Sequence, residues 1–395
     1  MTTQLFADQS VRAAIRVKDT HPKPESRLRA SIAGFVISFQ SVLLLAHWFV
    51  YWTWTAFQTT DPVTATTLKA TLAVLSSTFV TASLLAFRYY NAFVRVFYRI
   101  AATWLGFFNF FFLAAGLSWL VLIGVRLFGV QIGRLQIAGV LFTLAALAGL
   151  YGMVNAHVLR VSKITVKLPN LPRSWRGRTA ALVSDLHLGH IHGAAFSHRV
   201  AAKIETLRPD IVFIAGDLFD GTKVNGEEVV SPLKRLSARY GAYFVSGNHE
   251  EFSDPRKYIE AIEKAGIRVL ENQKVVIDGL QIVGVNHVDS ANPVRFRSIL
   301  AKADIHQNQA SILLSHSPHA LSVAEGAGVS LQLSGHTHGG QVFPFTWFAR
   351  KIFGERTYGL SRFGDLMVYT SSGAGTWGPP MRVGTRPEIV LIRFG

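Results

Sequence analysis

Four apolar stretches fill most of the first 155 residues of this 395-residue chain, over residues 32–57, 70–87, 101–125 and 135–154. A helix needs ~20 residues to cross a hydrocarbon layer of about 30 Å, and each stretch is long enough to do so. Charge is almost absent inside them, so they read as membrane-spanning helices rather than buried core helices of a soluble protein. Thirty mostly polar residues precede the first stretch, unlike the short basic leader of a cleavable signal peptide, so it is expected to stay in the mature chain. Trp48, Tyr51, Trp52 and Trp54 crowd its far end, where amphipathic rings favour the headgroup layer.

Lys and Arg set the expected orientation, because they are retained on the cytoplasmic face. The leader holds Arg12, Arg16, Lys18, Lys23, Arg27 and Arg29, and the segment between the second and third stretches holds Arg88, Arg95 and Arg99. The outer segments offer only Lys69, Arg126 and Arg134, whereas Arg160, Lys163, Lys167, Arg173, Arg176 and Arg178 follow the fourth stretch. Four crossings with both ends inside satisfy this pattern. The expected product is a multi-pass protein of the cell's inner membrane, with a basic leader over 1–30, a four-helix transmembrane region over 31–157 and a cytoplasmic domain over 158–395.

The net charge of +16 is shared, about +9 before residue 161 and about +7 after it. Juxtamembrane cations that obey the topology rule and attract anionic headgroups account for this balance. No run of cations interleaved with aromatics suggests a nucleic-acid partner. The chain has no cysteine, so any bound metal must be held by nitrogen and oxygen.

From residue 158 onward, short apolar runs alternate with helical or turn segments, the pattern of a mixed α/β domain. Five of these runs end on polar blocks. Residues 180–184 lead into Asp185-Leu186-His187, 211–215 into Gly216-Asp217-Leu218-Phe219-Asp220, and 242–246 into Gly247-Asn248-His249-Glu250. Residues 312–315 lead into His316, and 329–333 into Gly335-His336-Thr337-His338. Helical spacing over 194–207 and 255–265 fills two of the gaps. Strands that deliver polar residues at their carboxyl ends build the binding crevice of α/β sheets.

The inventory at those ends suits two divalent ions: a carboxylate able to bridge, several imidazoles and a neutral oxygen donor. Singly, Asp185 could cap a helix, Asn248 could make a turn and His316 could be a core histidine. Their joint arrival at five strand ends favours one site.

In order and spacing the five blocks resemble the calcineurin-like metallophosphoesterase superfamily, with its DxH, GDxxD, GNH(D/E), H and GHxH pattern. Gly335-His336-Thr337-His338-Gly339-Gly340-Gln341 and the tail Ser372-Gly373-Ala374-Gly375-Thr376-Trp377-Gly378-Pro379-Pro380 resemble its membrane-associated branch of YkuE-like and YaeI-like phosphohydrolases. That branch includes transmembrane proteins with a metallophosphoesterase domain and enzymes that cleave UDP-diacylglucosamine. The resemblance implies a four-layer α/β/β/α sandwich with a dinuclear site at the strand ends. It implies that Asp185, His187, Asp217 and His338 hold one ion and that Asp217, Asn248, His316 and His336 hold the other, Asp217 bridging. A metal-bridging hydroxide would attack phosphorus, with His249 as general acid. Asp220 and Glu250 would orient imidazoles, Glu250 being equally readable as a surface residue. Mn is the expected metal, Fe and Zn also suiting the ligands.

His190, His192, His287 and His319 lie near the blocks and read as solvated loop histidines, His287 being the one best placed to reach substrate phosphate. Residues 342–353 pack aromatics beside Arg350 and Lys351, as either a flap folded onto its own domain or an interfacial segment. With the site tethered to a bilayer, the expected activity is hydrolysis of a phosphoester or pyrophosphate in an amphiphilic, lipid-linked substrate. The alternatives are a membrane sensor or scaffold with little catalysis, and a hydrolase of soluble phosphodiesters or nucleotides. Inside the spans Gln40 and His47 stand out among a few polar residues without charge, which speaks against a conduction path.

Overall fold

The computed structural model describes residues 25–252 and 254–395. It opens with helices α1 (Glu25–Phe57), α2 (Pro62–Arg88), α3 (Ala92–Leu127) and α4 (Arg134–His157), joined by short turns. All four are long and apolar enough to cross a membrane. The leader expected over 1–30 lies outside the described residues up to residue 24, and α1 begins at residue 25.

Helices α2 and α3 start well before their apolar runs, because local caps decide where they begin. Asp61 Oδ1 accepts from the amides of Val63 at 3.1 Å and Thr64 at 2.9 Å, and Pro62 takes the first helical position, where its missing N–H costs nothing. Asn91 Oδ1 accepts from Val94 N at 2.9 Å. Lys69 therefore lies within α2, and Arg88, Arg95 and Arg99 lie on helix ends rather than in a loop. The polar groups inside the spans join helix to helix. Gln40 Nε2 donates to Ser76 O at 3.2 Å, Trp104 Nε1 to His47 Nε2 at 3.1 Å and Trp119 Nε1 to Thr53 Oγ1 at 2.9 Å. Such bonds hold helices together in lipid.

The remainder follows as β1 (Arg160–Val166), β2 (Thr179–Val183), α5 (Ala194–Leu207), β3 (Ile211–Ala215), α6 (Gly226–Val230), β4 (Ala242–Val245), α7 (Pro255–Lys264) and β5 (Arg268–Val269). Then come β6 (Gln273–Ile277), β7 (Leu280–Val285), α8 (His287–Ser290), α9 (Pro293–Ala303), β8 (Ser311–Ser315), α10 (Leu321–Gly326) and β9 (Leu331–Ser334). Helix α11 (Phe345–Phe353), β10 (Gly359–Phe363), β11 (Leu366–Thr370) and β12 (Glu388–Phe394) complete the chain.

Two six-stranded sheets result, ordered β1-β12-β2-β3-β4-β5 and β10-β11-β9-β8-β7-β6. Strands β2 to β5 run parallel in the first, and β7, β8, β9 and β11 run parallel in the second. Parallel strands buried on both faces are apolar throughout. Leu182, Phe213 and Val245 of the first sheet meet Ile282, Leu314 and Leu333 of the second between the layers. Val200, Ile204, Tyr258 and Ile262 of α5 and α7 cover the outer face of one sheet, and Phe296, Leu300, Leu321 and Ala324 of α9 and α10 cover the other. This is the four-layer sandwich expected from the sequence.

The apolar helices are not a detached anchor. Arg99 donates from Nε to His190 O at 2.9 Å and from Nη2 to Ile191 O at 3.1 Å, and Lys223 N donates to Ala86 O at 3.0 Å. Asn155 Nδ2 reaches the carbonyls of Arg382 and Thr385, each at 2.8 Å, and Asn109 Nδ2 reaches Phe343 O at 2.9 Å. Phe110, Ala114 and Ala145 pack with Val342 and Met381 in one apolar cluster. A Cβ on Gly106 would fall 2.6 Å from Met381 Sδ, and one on Gly152 would fall 2.7 Å from Val383 Cγ2.

Candidate metal centre

Strands β2, β3 and β4 of one sheet and β8 and β9 of the other all finish at the same edge of the sandwich, each immediately before a polar block. The chain turns sharply there. Asp185, His187, Asp217, His336 and His338 adopt the left-handed region, with φ of 52°, 49°, 50°, 72° and 50°. Each such conformation costs a non-glycine residue of order ~1–3 kcal/mol, and clusters of them mark functional sites. Hydrogen bonds between the blocks hold them: Asp185 N donates to Gly216 O at 3.0 Å, His187 N to Asp217 O at 3.1 Å and His336 N to Asp185 Oδ1 at 3.0 Å. A Cβ at Gly247 would overlap the Asp217 carboxylate, and one at Gly335 would overlap that of Asp185, so both turns require glycine.

These turns bring together the seven residues expected as ligands. Asp185, His187 and His338 form one cluster, and Asp217, His316 and His336 form another; His187, Asp217 and His249 form a third that overlaps both. In each, the candidate ligating atoms lie within 4.8 Å of one another. Asp217 sits centrally, its Oδ2 3.0 Å from His316 Nε2 and 3.9 Å from both His187 Nε2 and His249 Nε2. Asn248 Oδ1 lies 2.9 Å from His336 Nδ1, and His187 Nε2 lies 2.9 Å from His338 Nε2.

The donor set fits divalent cations. His316 Nδ1 donates to Ala215 O at 2.7 Å, so a neutral His316 turns the lone pair of Nε2 onto the Asp217 carboxylate. Two acceptors so placed need either a proton or a cation between them. Without a metal the proton wins: burial opposes it, but Asp217 and Asp185 lift the His316 pKa to about 10. Asp217 itself, despite the cost of burial, is held well below the usual carboxylate range, chiefly by His316. Burial, followed by repulsion from neighbouring imidazoles, pushes His187 and His338 well below the histidine range and His336 down to about 3. Neutral imidazole is the form that ligates metal. Nδ1 of His187 is also buried without a hydrogen-bond partner.

Surrounding groups fix this arrangement. His249 Nδ1 donates to Asp220 O at 2.9 Å, and its ring lies against Phe252 at 4.7 Å and Trp377 at 5.4 Å. The Asp220 contact to this imidazole is thus through its backbone. Its carboxylate instead accepts from Thr222 N at 2.8 Å, Thr222 Oγ1 at 2.5 Å and His190 N at 3.2 Å. Glu250 is fully buried, not a surface residue. It accepts from Gly247 N at 2.6 Å, Phe219 N at 3.0 Å and Asp217 N at 3.1 Å, binding the loops after β3 and β4 together. Glu250→Ala would strand three buried amides at about 1–3 kcal/mol each. A loss of roughly 3 kcal/mol or more is expected, read as a lowered thermal midpoint, with Glu250→Gln retaining part of the stability.

The four nearby histidines divide. His190 is fully buried, its ring bonded to Thr222 Oγ1 at 3.0 Å and Tyr89 O at 3.2 Å, and His192 Nε2 accepts from Thr376 N at 3.1 Å. Both are packed between segments rather than solvated, because the membrane helices and the C-terminal tail cover them. His287 lies 5.8 Å from His316 and 5.7 Å from His336, ring to ring, and His319 lies 6.1 Å from His336. Those two flank the cluster.

The sequence reading did not single out Arg382, Trp377 or Phe252. Arg382 is wholly buried and donates to His338 O at 3.0 Å and Gly375 O at 2.5 Å, fastening the GHTH turn to the tail. Burial lowers its pKa to about 10. Gln341 Nε2 bonds the carbonyls of Trp377 and Pro379, each at 3.0 Å, and Trp377 N donates to Gln341 Oε1 at 2.9 Å. The available signals were the place of Trp377 within the glycine-rich tail and that of Arg382 just beyond it.

Comparison with known proteins bears on the same region. Residues 179–340, which contain all five blocks, match the model of the calcineurin-like phosphoesterases. An uncharacterized metallophosphoesterase of Campylobacter jejuni is 32% identical over 238 residues, 59% of this chain and 63% of that protein. A transmembrane protein with metallophosphoesterase domain from Danio rerio is 32% identical over 266 residues, 63% of this chain and 60% of its own. The chain therefore spans less than two thirds of either of these relatives. An uncharacterized metallophosphoesterase of Aquifex aeolicus is 31% identical over 255 residues, 63% of this chain and 97% of that protein. With the matched family model, the near-complete coverage of that relative and the site geometry in agreement, the chain belongs to the calcineurin-like metallophosphoesterases.

Proposed function

We propose that the chain is a membrane-tethered phosphohydrolase that cleaves a phosphoester or pyrophosphate bond in an amphiphilic substrate. The observation that carries this reading is the convergence of seven candidate nitrogen and oxygen donors in overlapping clusters, beside an aromatic helix whose preceding segment packs against the membrane spans. Asp185, His187, Asp217 and His338 would hold one divalent cation, and Asp217, Asn248, His316 and His336 the other. When bound, such a pair supplies Lewis acidity and lowers the pKa of water toward 7. Asp217, central to both groups, balances charge for each. With Nδ1 committed to Asp220 O, His249 can pass a proton to a leaving oxygen only through Nε2, the atom that faces the cluster. Phe252 and Trp377 lie against its ring and restrict its rotation. Manganese is the metal proposed for assay, since N/O ligands suit Mn, Fe and Zn alike.

The same reading assigns residues 31–157 to the membrane and 158–395 to catalysis, on the cytoplasmic face by the Lys and Arg count. Helix α11 supports an amphiphilic substrate. Phe345, Trp347, Phe348 and Ile352 are exposed by 57%, 49%, 48% and 71%, more than a flap folded onto its own domain would leave open. Lys351 Nζ lies 3.8 Å from the Trp347 ring centre. The segment before α11 packs against α3 and α4 through Val342, and Phe353 at its far end lies 6.3 Å from the His336 ring. One helix thus runs from the membrane border to the cluster.

The detergent-purified protein, supplied with Mn²⁺, is to be assayed on esters that share a headgroup and differ in acyl length. Turnover per unit of substrate is expected to rise with chain length, and Trp347→Ser with Phe348→Ser to remove that rise while sparing short esters. Equal turnover of short and long esters would remove the lipid-linked part of the reading and leave the phosphohydrolase part standing.

A further inference from the structure

A cavity of about 900 Å³ opens where α4 meets α11 and the loop before β12. Its walls include Tyr151 and Asn155 of α4, Thr346 and Arg350 of α11, Arg160 and Arg386. No metal-ligand candidate lines it; Gly339 belongs to its wall, and the His338 turn with the buried Arg382 stands between it and the cluster. Arginines outnumber carboxylates three to one among its lining residues, Glu355 being the carboxylate. Among the described residues none of the three has a carboxylate within ion-pair distance; Arg160 Nη1 reaches only Val158 O, at 3.2 Å. Unpaired guanidinium groups around one concavity suit a phosphate, for which arginine has the matching fork of donors.

Placement identifies the source of that phosphate. Tyr151 is 59% exposed and stands one turn nearer the membrane interior than Asn155 on the last span. Thr346 and Arg350, four residues apart, present one side of α11 to the cavity, while Phe345 and Ile352 leave apolar surface of the same helix exposed. A headgroup seated among the arginines can extend its acyl chains along Tyr151 and these side chains, which a free anion cannot exploit. Basic pockets beside spans on the cytoplasmic side are where anionic headgroups bind. We propose that this cavity binds the phosphate of an anionic membrane phospholipid, at a site separate from the metal centre.

The test is thermal unfolding of the full-length protein in neutral detergent, titrated with short-chain phosphatidylglycerol, with phosphatidylcholine of the same chains, and with inorganic phosphate. Phosphatidylglycerol is expected to raise the midpoint saturably, and the other two to leave it in place. Combining Arg350→Gln with Arg386→Gln is expected to weaken the apparent affinity at least about tenfold. The effect is expected to persist after chelation with EDTA, since the cavity holds no metal ligand. Equal stabilisation by phosphatidylcholine, full stabilisation by phosphate alone, loss of the effect on chelation, or unchanged affinity in a folded double variant would each overturn the proposal. If the double variant does not fold, the three-ligand and EDTA comparisons on the native chain decide alone.

Discussion

Replacing Asp217 with asparagine is expected to empty the site of metal and abolish hydrolysis together. The carboxylate oxygen that lies 3.0 Å from His316 and 3.9 Å from both His187 and His249 is common to two of the three clusters, so its charge serves both. An amide would place a neutral oxygen or an N–H donor there, and neither can bridge two cations. Losing an outer partner of a ligand costs roughly 10–100-fold in metal affinity or activity, and losing the shared ligand should exceed that. Metal content by elemental analysis and turnover should therefore fall in step. Asp217→Asn with both metals retained and normal turnover would remove the basis for the assignment.

His249→Ala is expected to separate the two quantities. General acid catalysis contributes about 10²–10⁴ in rate, so turnover should drop on that scale while metal content stays near normal. The separation follows from the geometry: the residue 249 amide, not its ring, donates to Asp217 Oδ1 at 2.9 Å, and alanine keeps that bond. Leaving-group chemistry supplies a sharper measurement. An ester with an acidic phenol as leaving group needs little protonation, so its hydrolysis should suffer much less than that of an alkyl ester. An equal loss on both would give His249 a structural role instead.

Legibility followed the range of the interaction. Strands β2, β3, β4, β8 and β9 were readable because each is a short apolar run closed by a turn, and period and punctuation are local. The candidate site residues were legible with them, since each lies within a few residues of a strand end. The early starts of α2 and α3 were also local, written in Asp61-Pro62 and Asn91, but hydropathy alone passes over caps. Arg382 was a different case. Its partners are the carbonyls of His338, 44 residues away, and of the tail loop, and no sequence window contains both. His190 looked like a solvated loop residue for the same reason, as its cover comes from Tyr89, 101 residues earlier. Glu250 sat in a block whose pattern allows Asp or Glu, and only the folded loops reveal the three amides it gathers.

The close seating of Gly106 and Gly152 on the loop at Met381 and Val383 limits how this chain can be engineered or recombined. A fragment beginning at residue 158 would present Val342, Met381 and Ile191 as a bare apolar floor and leave the Arg382 and Thr385 carbonyls without Asn155. Grafting that fragment onto a foreign anchor would need small residues at the two glycine positions and an amide at the position of Asn155. The spans and the hydrolase region are in that sense one transplantable part, with its seam inside the helices rather than at the linker.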